Sequence, residues 1–228
     1  MPAGHHDPRR FPDGPDTEWC RARRRSTSRR RISFAVVGVT GHDRRMDYVV
    51  RAVRAEEWER AKEIRLAALR DPAAPIAFLE TYEQALTKPD VFWQERSARA
   101  AEGEHSRQFV AEAPDGLWAG TVTVLVERPA GEPGFGEAAA VDQSHLVAVF
   151  VRPGHRGRGV VDALFREAVD WSWSLTGPPL QRVRLYVHEA NARAAASYRR
   201  IGFAPTGRTL PMEGDPTALE LEYEIRRR

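Results

Sequence analysis

Cysteine is almost absent from this chain, since Cys20 is the single one among 228 residues. A disulfide framework needs paired cysteines and a cysteine-rich zinc site needs several, so the sequence excludes both. Cys20 also lies in the segment with the weakest structural pattern, which argues against a thiol nucleophile. Since nothing in the sequence indicates an oxidising compartment, we expect a cytoplasmic protein.

Long apolar runs are absent as well. No run approaches the roughly 18 consecutive apolar residues of a membrane-spanning helix, so we expect no membrane partner. The apolar run 32–39 is short and no small-residue cleavage site follows it cleanly, which makes a secretory signal unconvincing. No cluster of His, Asp and Glu has the spacing of metal ligands, and we therefore expect no metal.

Positive charge is concentrated in residues 1–45, which contain 11 Arg and 5 Asp or Glu. Their net charge of +6 exceeds the +3 of the whole chain, so residues 46–228 are mildly acidic. Clusters such as Arg23–Arg25 and Arg29–Arg31 repel one another and bury little apolar surface, which predicts a disordered tail over 1–45. Because Met46 opens a regularly patterned segment, we hypothesise that the functional protein starts there and that the tail is a gene-start artefact.

Residues 46–228 are patterned as a single α/β domain. Alternating apolar residues predict strands over 48–53, 108–113, 118–127, 145–151, 183–187, 203–209 and 218–225. Helical spacing predicts helices over 55–69, 78–101 with a break near Pro89, 159–175 and 191–201. The resulting order, β-α-α-β-β-β-α-β-α-β-β, indicates a mixed, mostly antiparallel sheet flanked by helices.

A glycine-containing turn lies between the strand that ends at Val151 and the helix predicted from Gly159. Gly157 and Gly159 remove Cβ atoms where the backbone turns sharply, and the N–H groups that open the helix suit a pyrophosphate. Arg156 and Arg158 are expected to add mobile positive charge. The turn has no Gly-Lys-Ser/Thr and only half of a G-x-G-x-x-G pattern, so it is neither a P-loop nor a dinucleotide fingerprint. Taken alone, it also fits a solvated basic turn.

A second motif follows about 30 residues later, running from Asn191 through Ala194 and Tyr198 to Gly202 and Phe203. With the turn before it, this N-x-x-A-x-x-x-Y-x-x-x-G-F pattern resembles the GCN5-related N-acetyltransferase (GNAT) family. The family carries an R/Q-x-x-G-x-G/A loop after the fourth strand and the second motif across the next helix. The resemblance spans 46–228 and is strongest over 145–203; it implies the acyl-CoA N-acyltransferase fold.

The resemblance implies that acetyl-CoA lies where strands four and five separate, with its pantetheine beside strand four and its pyrophosphate on the glycine turn. The residues that it assigns to acetyl-CoA are Val149, Phe150, Val151, Arg156, Gly157, Arg158, Gly159, Val160, Val161, Asn191 and Tyr198. One residue departs from the family pattern, because Val161 stands where Gly or Ala is usual, and weaker cofactor binding is an expected consequence. Asn191 also fits a helix N-cap, and the two roles are compatible.

Direct attack of a primary amine on the thioester, within a ternary complex, is the chemistry that the resemblance implies. Tyr198 is the candidate general acid for the departing thiolate, and its alternative role is a core tyrosine beside Phe203. Similar enzymes often place a basic carboxylate early in strand four, where this chain has His145. We rank His145 before Glu127 as the base, with His188 as a further candidate; each also fits a strand-end residue without a catalytic role.

The acceptor is open at this stage: a small molecule, a peptide N-terminus and a lysine side chain all fit. Its site is expected between the first two helices and the last hairpin, a region that includes Phe78, Tyr82, Trp93, Met212 and Glu213. Acidic side chains there, namely Glu80, Glu83, Glu213 and Asp215, would favour a cationic amine, although solvated faces explain them equally well.

Two other functions are kept as alternatives, a non-catalytic acetyl-CoA-binding regulatory module and a nucleic-acid-associated protein that acts through the basic tail. Nucleic acid is the less favoured partner. A homodimer is also considered, because dimers are common among similar proteins.

Overall fold

A seven-stranded sheet with the strand order β1-β2-β3-β4-β5-β7-β6 organises the chain. The computed structural model of the protein describes residues 47–129, 131 and 137–227. The predicted tail over 1–45 and Cys20 therefore lie outside the described residues. No helix in the described part of the chain has both the length and the apolar character needed to cross a membrane.

The strands and helices follow the predicted order. The strands are β1 Val49–Ala52, β2 Ser106–Glu112, β3 Trp118–Glu127, β4 Gln143–Val151, β5 Arg182–His188, β6 Ala204–Met212 and β7 Asp215–Arg226. The helices are α1 Trp58–Leu69, α2 Tyr82–Leu86, α3 Asp90–Glu102, α4 Val160–Ser174 and α5 Ala192–Ile201. The break predicted near Pro89 is confirmed, because Pro89 precedes α3 and separates it from α2. The last strand begins three residues earlier than predicted, so the turn before it is tighter.

The predicted mixed, mostly antiparallel sheet is confirmed. Every pair of neighbouring strands is antiparallel except β4 and β5. Those two strands pair in parallel at three positions only, Gln143 with Arg182, Ser144 with Val183 and His145 with Arg184. Beyond His145 they have no shared register, so the sheet opens between them.

Both faces of the sheet are covered, as the period of two along its strands requires. On β2, Phe109 and Ala111 belong to the core beneath α4 and α5, whereas Val110 between them packs with α1. From α4, Leu164 and Ala168 are fully buried in the first core, and Ile64 of α1 is fully buried in the second. The opening between β4 and β5 thus lies in a sheet that helices pack against on both faces.

At Gly120 on β3, the start of α4 lies close against the sheet. A Cβ atom at this position would lie 2.9 Å from the backbone oxygen of Phe150 and 3.0 Å from Cγ1 of Val160. Real Cβ atoms are not found this close to backbone oxygens, so a side chain here would displace either β4 or the start of α4. The glycine therefore sets the distance between the sheet and the first turn of α4.

We expect Gly120→Ala to lower the free energy of unfolding by about 1–3 kcal/mol, because the added methyl group overpacks this contact. Urea denaturation followed by circular dichroism measures the change. Gly154→Ala is the matched control, since a Cβ there meets nothing within 4 Å and should alter stability by no more than about 0.5 kcal/mol. Equal effects of the two substitutions would contradict this account of Gly120.

Candidate functional site

The opening between β4 and β5 forms a cleft of about 910 Å³. The second half of β4, the turn before α4 and the first turn of α4 form one wall. The end of β5, Glu220 in the middle of β7 and α5 form the other wall. The connection between α1 and α2 covers one end, together with α3. The cleft thus lies among the segments that carry the predicted cofactor-binding residues, Tyr198 and His145.

A bulge shapes the β4 side of the cleft. Thr121 of β3 pairs with Phe150 and Thr123 pairs with Val147, so two residues of β4 face Val122 alone. Ala148, within this bulge, has a φ of 53°, which is costly for a residue with a side chain. Backbone strain of this kind persists where the surrounding structure requires it, often at functional sites.

The predicted pantetheine-side residues lie along this wall. Val149, Phe150 and Val151 all line the cleft, on the part of β4 that has no partner on β5. A sheet edge without a neighbouring strand offers its backbone groups to an extended ligand, as in recognition by strand addition.

The glycine turn lies at one end of the cleft, between β4 and α4. Gly157 and Gly159 have φ values of 73° and 78°, the left-handed region that favours glycine, and Gly159 is the N-cap of α4. Both glycines line the cleft, followed by Val160 and Val161. Because the first N–H groups of a helix have no partner within it, the start of α4 presents donors to an anion at this end.

Val161 belongs partly to the core. Its side chain is half-buried and packs against the main apolar cluster while it also lines the cleft. The residue that departs from the family pattern therefore leaves the turn and the helix start intact.

Arg156 is held rather than mobile, which corrects one expectation from the sequence. Its Nε donates to the backbone oxygen of Val151 at 2.8 Å, and its Nη2 contacts Oδ2 of Asp71 at 2.5 Å. Asp71 follows α1, and its side chain is only 6% exposed. The ion pair between Arg156 and Asp71 therefore fixes the glycine turn to the end of α1. Arg158, by contrast, is exposed and does not line the cleft.

Two arginines of α5 that sequence reasoning missed supply positive charge instead. Arg193 and Arg200 line the cleft, and Arg200 forms an ion pair with Asp162 at 3.1 Å. They are seven residues apart, a spacing that places both on one face of a helix. That spacing was the signal that could have identified them.

Asn191 acts as the N-cap of α5, because its Oδ1 accepts a hydrogen bond from the backbone N–H of Ala194 at 3.2 Å. It also lines the cleft. The two roles considered for this residue are thus geometrically compatible.

Tyr198 of α5 lies at the wall opposite β4. Its ring stacks on Phe165, with centroids 5.3 Å apart and planes at 19°, and Phe165 in turn contacts Phe203. The side chain is 8% exposed and lines the cleft. Burial, together with the charge of Glu220, raises the pKa of Tyr198 well above its ordinary value, so the phenol keeps its proton.

His145 is the last residue of β4 that pairs with β5, and its imidazole lines the cleft where the strands separate. Its Nδ1 lies 3.0 Å from Oε1 of Glu127. The other carboxylate oxygen of Glu127 accepts from Gln143 Nε2 at 2.6 Å and from Arg184 Nε at 2.9 Å. Side chains from β3, β4 and β5 therefore meet in one buried network at the apex of the opening.

The charges in this network offset one another. Burial lowers the pKa of His145, against the opposing effect of the Glu127 carboxylate, and favours the neutral imidazole. Burial would raise the pKa of Glu127, but the hydrogen bonds from His145 and Gln143 and the charge of Arg184 hold it below its ordinary value. An ionised Glu127 accepting from Nδ1–H leaves the lone pair of His145 on Nε2.

Glu127 itself does not line the cleft, because His145 lies between it and the opening. His188 does line it, and its Nδ1 accepts from the backbone N–H of Ala190 at 3.0 Å. Directly across from His188 on β7 is Glu220, another cleft residue that the sequence analysis missed. Burial raises the pKa of Glu220, with His188 opposing; only the β5–β7 register brings the two together.

The end of the cleft near Phe78 and Glu80, where the acceptor was expected, is less acidic than the sequence suggested. Of the residues named for it, only Phe78 and Glu80 line the cleft. Glu80 contacts Arg65 at 2.9 Å and also Lys88, so its charge is compensated. An additional cation, Arg96 of α3, lines this end. The residues that lie outside the lining are Tyr82, Glu83, Trp93, Met212, Glu213 and Asp215.

Metal ligands are not grouped in the part of the chain that the structure describes: no three His, Cys, Asp or Glu side chains there could hold an ion together.

Comparison with known proteins agrees with this geometry. Streptothricin acetyltransferase from Streptomyces lavendulae is 36% identical to the chain over 109 residues, which are 47% of this chain and 50% of that protein. The chain thus matches about half the length of this curated relative.

Solved structures show the same fold. The GNAT domain of S. lividans PAT covers 78% of this chain and 90% of its own length, with a TM-score of 0.57 and 17% identity. Arabidopsis thaliana NAA60 in complex with acetyl-CoA covers 78% and 98%, with a TM-score of 0.56 and 19% identity.

The family model described as "Acetyltransferase (GNAT) family" matches residues 55–203, a range that contains β4, the glycine turn, Tyr198 and the whole of α5. On this match, which covers most of the described residues, the chain belongs to the GNAT acetyltransferase family.

Proposed function

We propose that this protein is an N-acetyltransferase that moves the acetyl group of acetyl-CoA to a primary amine by direct attack within a ternary complex. The observation that carries the proposal is the parting of β4 and β5 directly after His145, which places a helix-capping glycine turn, an imidazole and a phenol around one cleft. The family match, a neighbour solved with acetyl-CoA and a relative named as an acetyltransferase all support it.

The cleft offers acetyl-CoA three kinds of contact. The pyrophosphate would accept hydrogen bonds from the backbone N–H groups between Gly157 and Val161, with Arg193 and Arg200 nearby. The pantetheine would run along the unpaired edge of Val149–Val151. Asn191 lines the same cleft and adds a side-chain amide. We assign Arg156 a different role, in which its contact with Asp71 holds the turn in place.

We assign His145 as the general base. A neutral imidazole whose Nδ1–H donates to Glu127 has its lone pair on Nε2, where it accepts a proton from the attacking amine. Glu127 is a positioning residue, since it fixes the tautomer and stabilises the imidazolium without reaching the cleft. His188, beside Glu220, is the second candidate base. It is less favoured than His145, because its Nδ1 already accepts a hydrogen bond from a backbone N–H.

Tyr198 is assigned to the leaving thiolate. As the new C–N bond forms, the C–S bond breaks and the sulfur takes up negative charge. A phenol whose pKa lies above that of a thiol, about 8.5, is a weak proton source but a good hydrogen-bond donor to this charge. The expected role of Tyr198 is therefore stabilisation of the thiolate first and completion of the proton transfer second.

We expect Tyr198→Phe to lower kcat on the order of 10²-fold while the acetyl-CoA Kd stays nearly constant, because the ring still stacks on Phe165. Thiol release measures the first quantity and calorimetry the second. Tyr82→Phe is the matched control, since Tyr82 does not line the cleft. Unchanged turnover in Tyr198→Phe would remove this residue from the mechanism.

The base assignment predicts a specific pH profile. Because burial lowers the pKa of His145 from 6.5, kcat/KM should hold above that pH and fall as acid protonates the imidazole at lower pH. His145→Gln should lose this acidic limb and lower kcat on the order of 10²–10⁴-fold. Glu127→Gln should move the limb to still lower pH, since the carboxylate raises the pKa of His145.

Stability has to be measured alongside these profiles. Glu127→Gln leaves Arg184 buried without its carboxylate and should lower the free energy of unfolding by about 3–5 kcal/mol. Glu63→Gln is the control, because it removes an exposed carboxylate that pairs with Arg152. It should leave the pH profile unchanged and alter the free energy of unfolding by no more than about 1 kcal/mol. If Glu127→Gln folds and its acidic limb stays at the wild-type pH, the positioning role of Glu127 is contradicted.

Acetyl-CoA binding without thiol release for any amine would favour the alternative of a non-catalytic module. Absence of any calorimetric affinity for CoA compounds in the folded protein would overturn the proposed function altogether.

A further inference from the structure

We infer that the acceptor amine carries a carboxylate close to its reacting nitrogen, and that Arg96 of α3 binds this carboxylate. The inference rests on the proposed function and adds to it a substrate class, small amino-acid-like acceptors, which neither the family match nor the relatives supply.

Arg96 lines the cleft at its acceptor end but makes no hydrogen bond and no ion pair with any residue that the structure describes. The carboxylate nearest to hand, Glu80, is already engaged. Its Oε2 accepts from Nε and Nη2 of Arg65 at 3.0 and 2.9 Å, and its other oxygen contacts Lys88. Arg65 is further fixed by its position over the ring of Phe78.

The local charge balance is therefore positive. Arg65, Lys88 and Arg96 surround a single carboxylate, and Arg99 adds its charge from the same helix as Arg96. Burial and, after it, the like charges of Arg65 and Arg99 lower the pKa of Arg96, whereas the carboxylate of Glu80 opposes them. A guanidinium keeps its charge in proteins, so a desolvated one without a partner favours an anionic ligand.

The position of Arg96 relates this charge to the reaction. Besides the main cleft, Arg96 borders a small cavity together with Thr121, Thr123 and Ala148. Ala148 is the strained residue of the β4 bulge, and His145 lies three positions before it on the same strand. An anion held by Arg96 thus lies beside the bulge, within the cleft that His145 also lines.

A carboxylate fits this arrangement because a guanidinium presents a planar fork of N–H donors that binds both of its oxygens. The partly apolar lining from Ile76, Ala77 and Phe78 leaves room for a side chain. A peptide N-terminus or a protein lysine has no carboxylate next to its amine and would leave Arg96 unpaired.

Matched acceptors test the inference. Thiol release is measured with three L-amino acids (phenylalanine, leucine and lysine), with their amides, and with the amines that lack the carboxyl group altogether. We expect the wild-type protein to prefer the carboxylate form by roughly tenfold to a hundredfold in kcat/KM, mainly through KM.

Arg96→Gln should abolish this preference by raising KM for the carboxylate forms while the amides, the amines and acetyl-CoA are little affected. Arg96→Lys should restore part of it, because a single ammonium keeps the charge and loses the fork. Arg99→Gln is the control, since it removes a charge from the same helix at an exposed position outside the cleft lining. Melting curves should show Arg96→Gln folded, as it breaks no hydrogen bond or ion pair among the described residues.

Where turnover is slow, calorimetric titration of the CoA-loaded protein with the same acceptors gives the same comparison. Equal affinity for carboxylate and amide forms in the wild type, or a preference that survives Arg96→Gln, would overturn the inference. Either result would leave the proposed function standing as long as acetyl-CoA binds, whereas loss of acetyl-CoA binding would remove both.

Discussion

The buried network around Glu127 is the interaction on which the rest of the site depends. It joins β3, β4 and β5 through His145, Gln143 and Arg184, at the three positions where β4 and β5 still pair. Buried charges are costly unless geometry and hydrogen bonds satisfy them, and here both oxygens of the carboxylate are occupied. Because the strands are held at this point, they can separate beyond it without unravelling the sheet.

Three local features hold the walls of the cleft together beyond the point where β4 and β5 separate. The β4 bulge at Ala148 turns the strand edge towards the opening, and Gly120 lets the start of α4 lie close against that edge. The contact of Arg156 with Asp71 then ties the glycine turn to the end of α1, on the acceptor side. The β4 wall of the cleft and the end lined by Phe78 and Glu80 are therefore parts of one packed unit, with the imidazole of His145 at its apex.

Sequence reasoning succeeded where the signal was local. The Gly157-x-Gly159 turn before α4 and the N-cap Asn191 each follow from spacing and backbone preference within a few residues, and the structure places each as predicted. It was less successful with charge. Arg156 was expected to be mobile and is held, and the acidic residues expected at the acceptor end are either neutralised or outside the cleft.

The order of elements, the glycine turn and the candidate reactive side chains could be identified from the amino-acid sequence alone, because each depends on residues that are neighbours along the chain. The packing of the folded chain then settled which side chains reach the cleft. His145 faces it with Glu127 behind, Glu220 stands across from His188, and Arg96 lines it with no hydrogen-bond or ion-pair partner among the residues that the structure describes. The physical reason is that strand register and helix packing bring together residues that are far apart in the chain, and ion pairs between them determine which charges are left for a ligand.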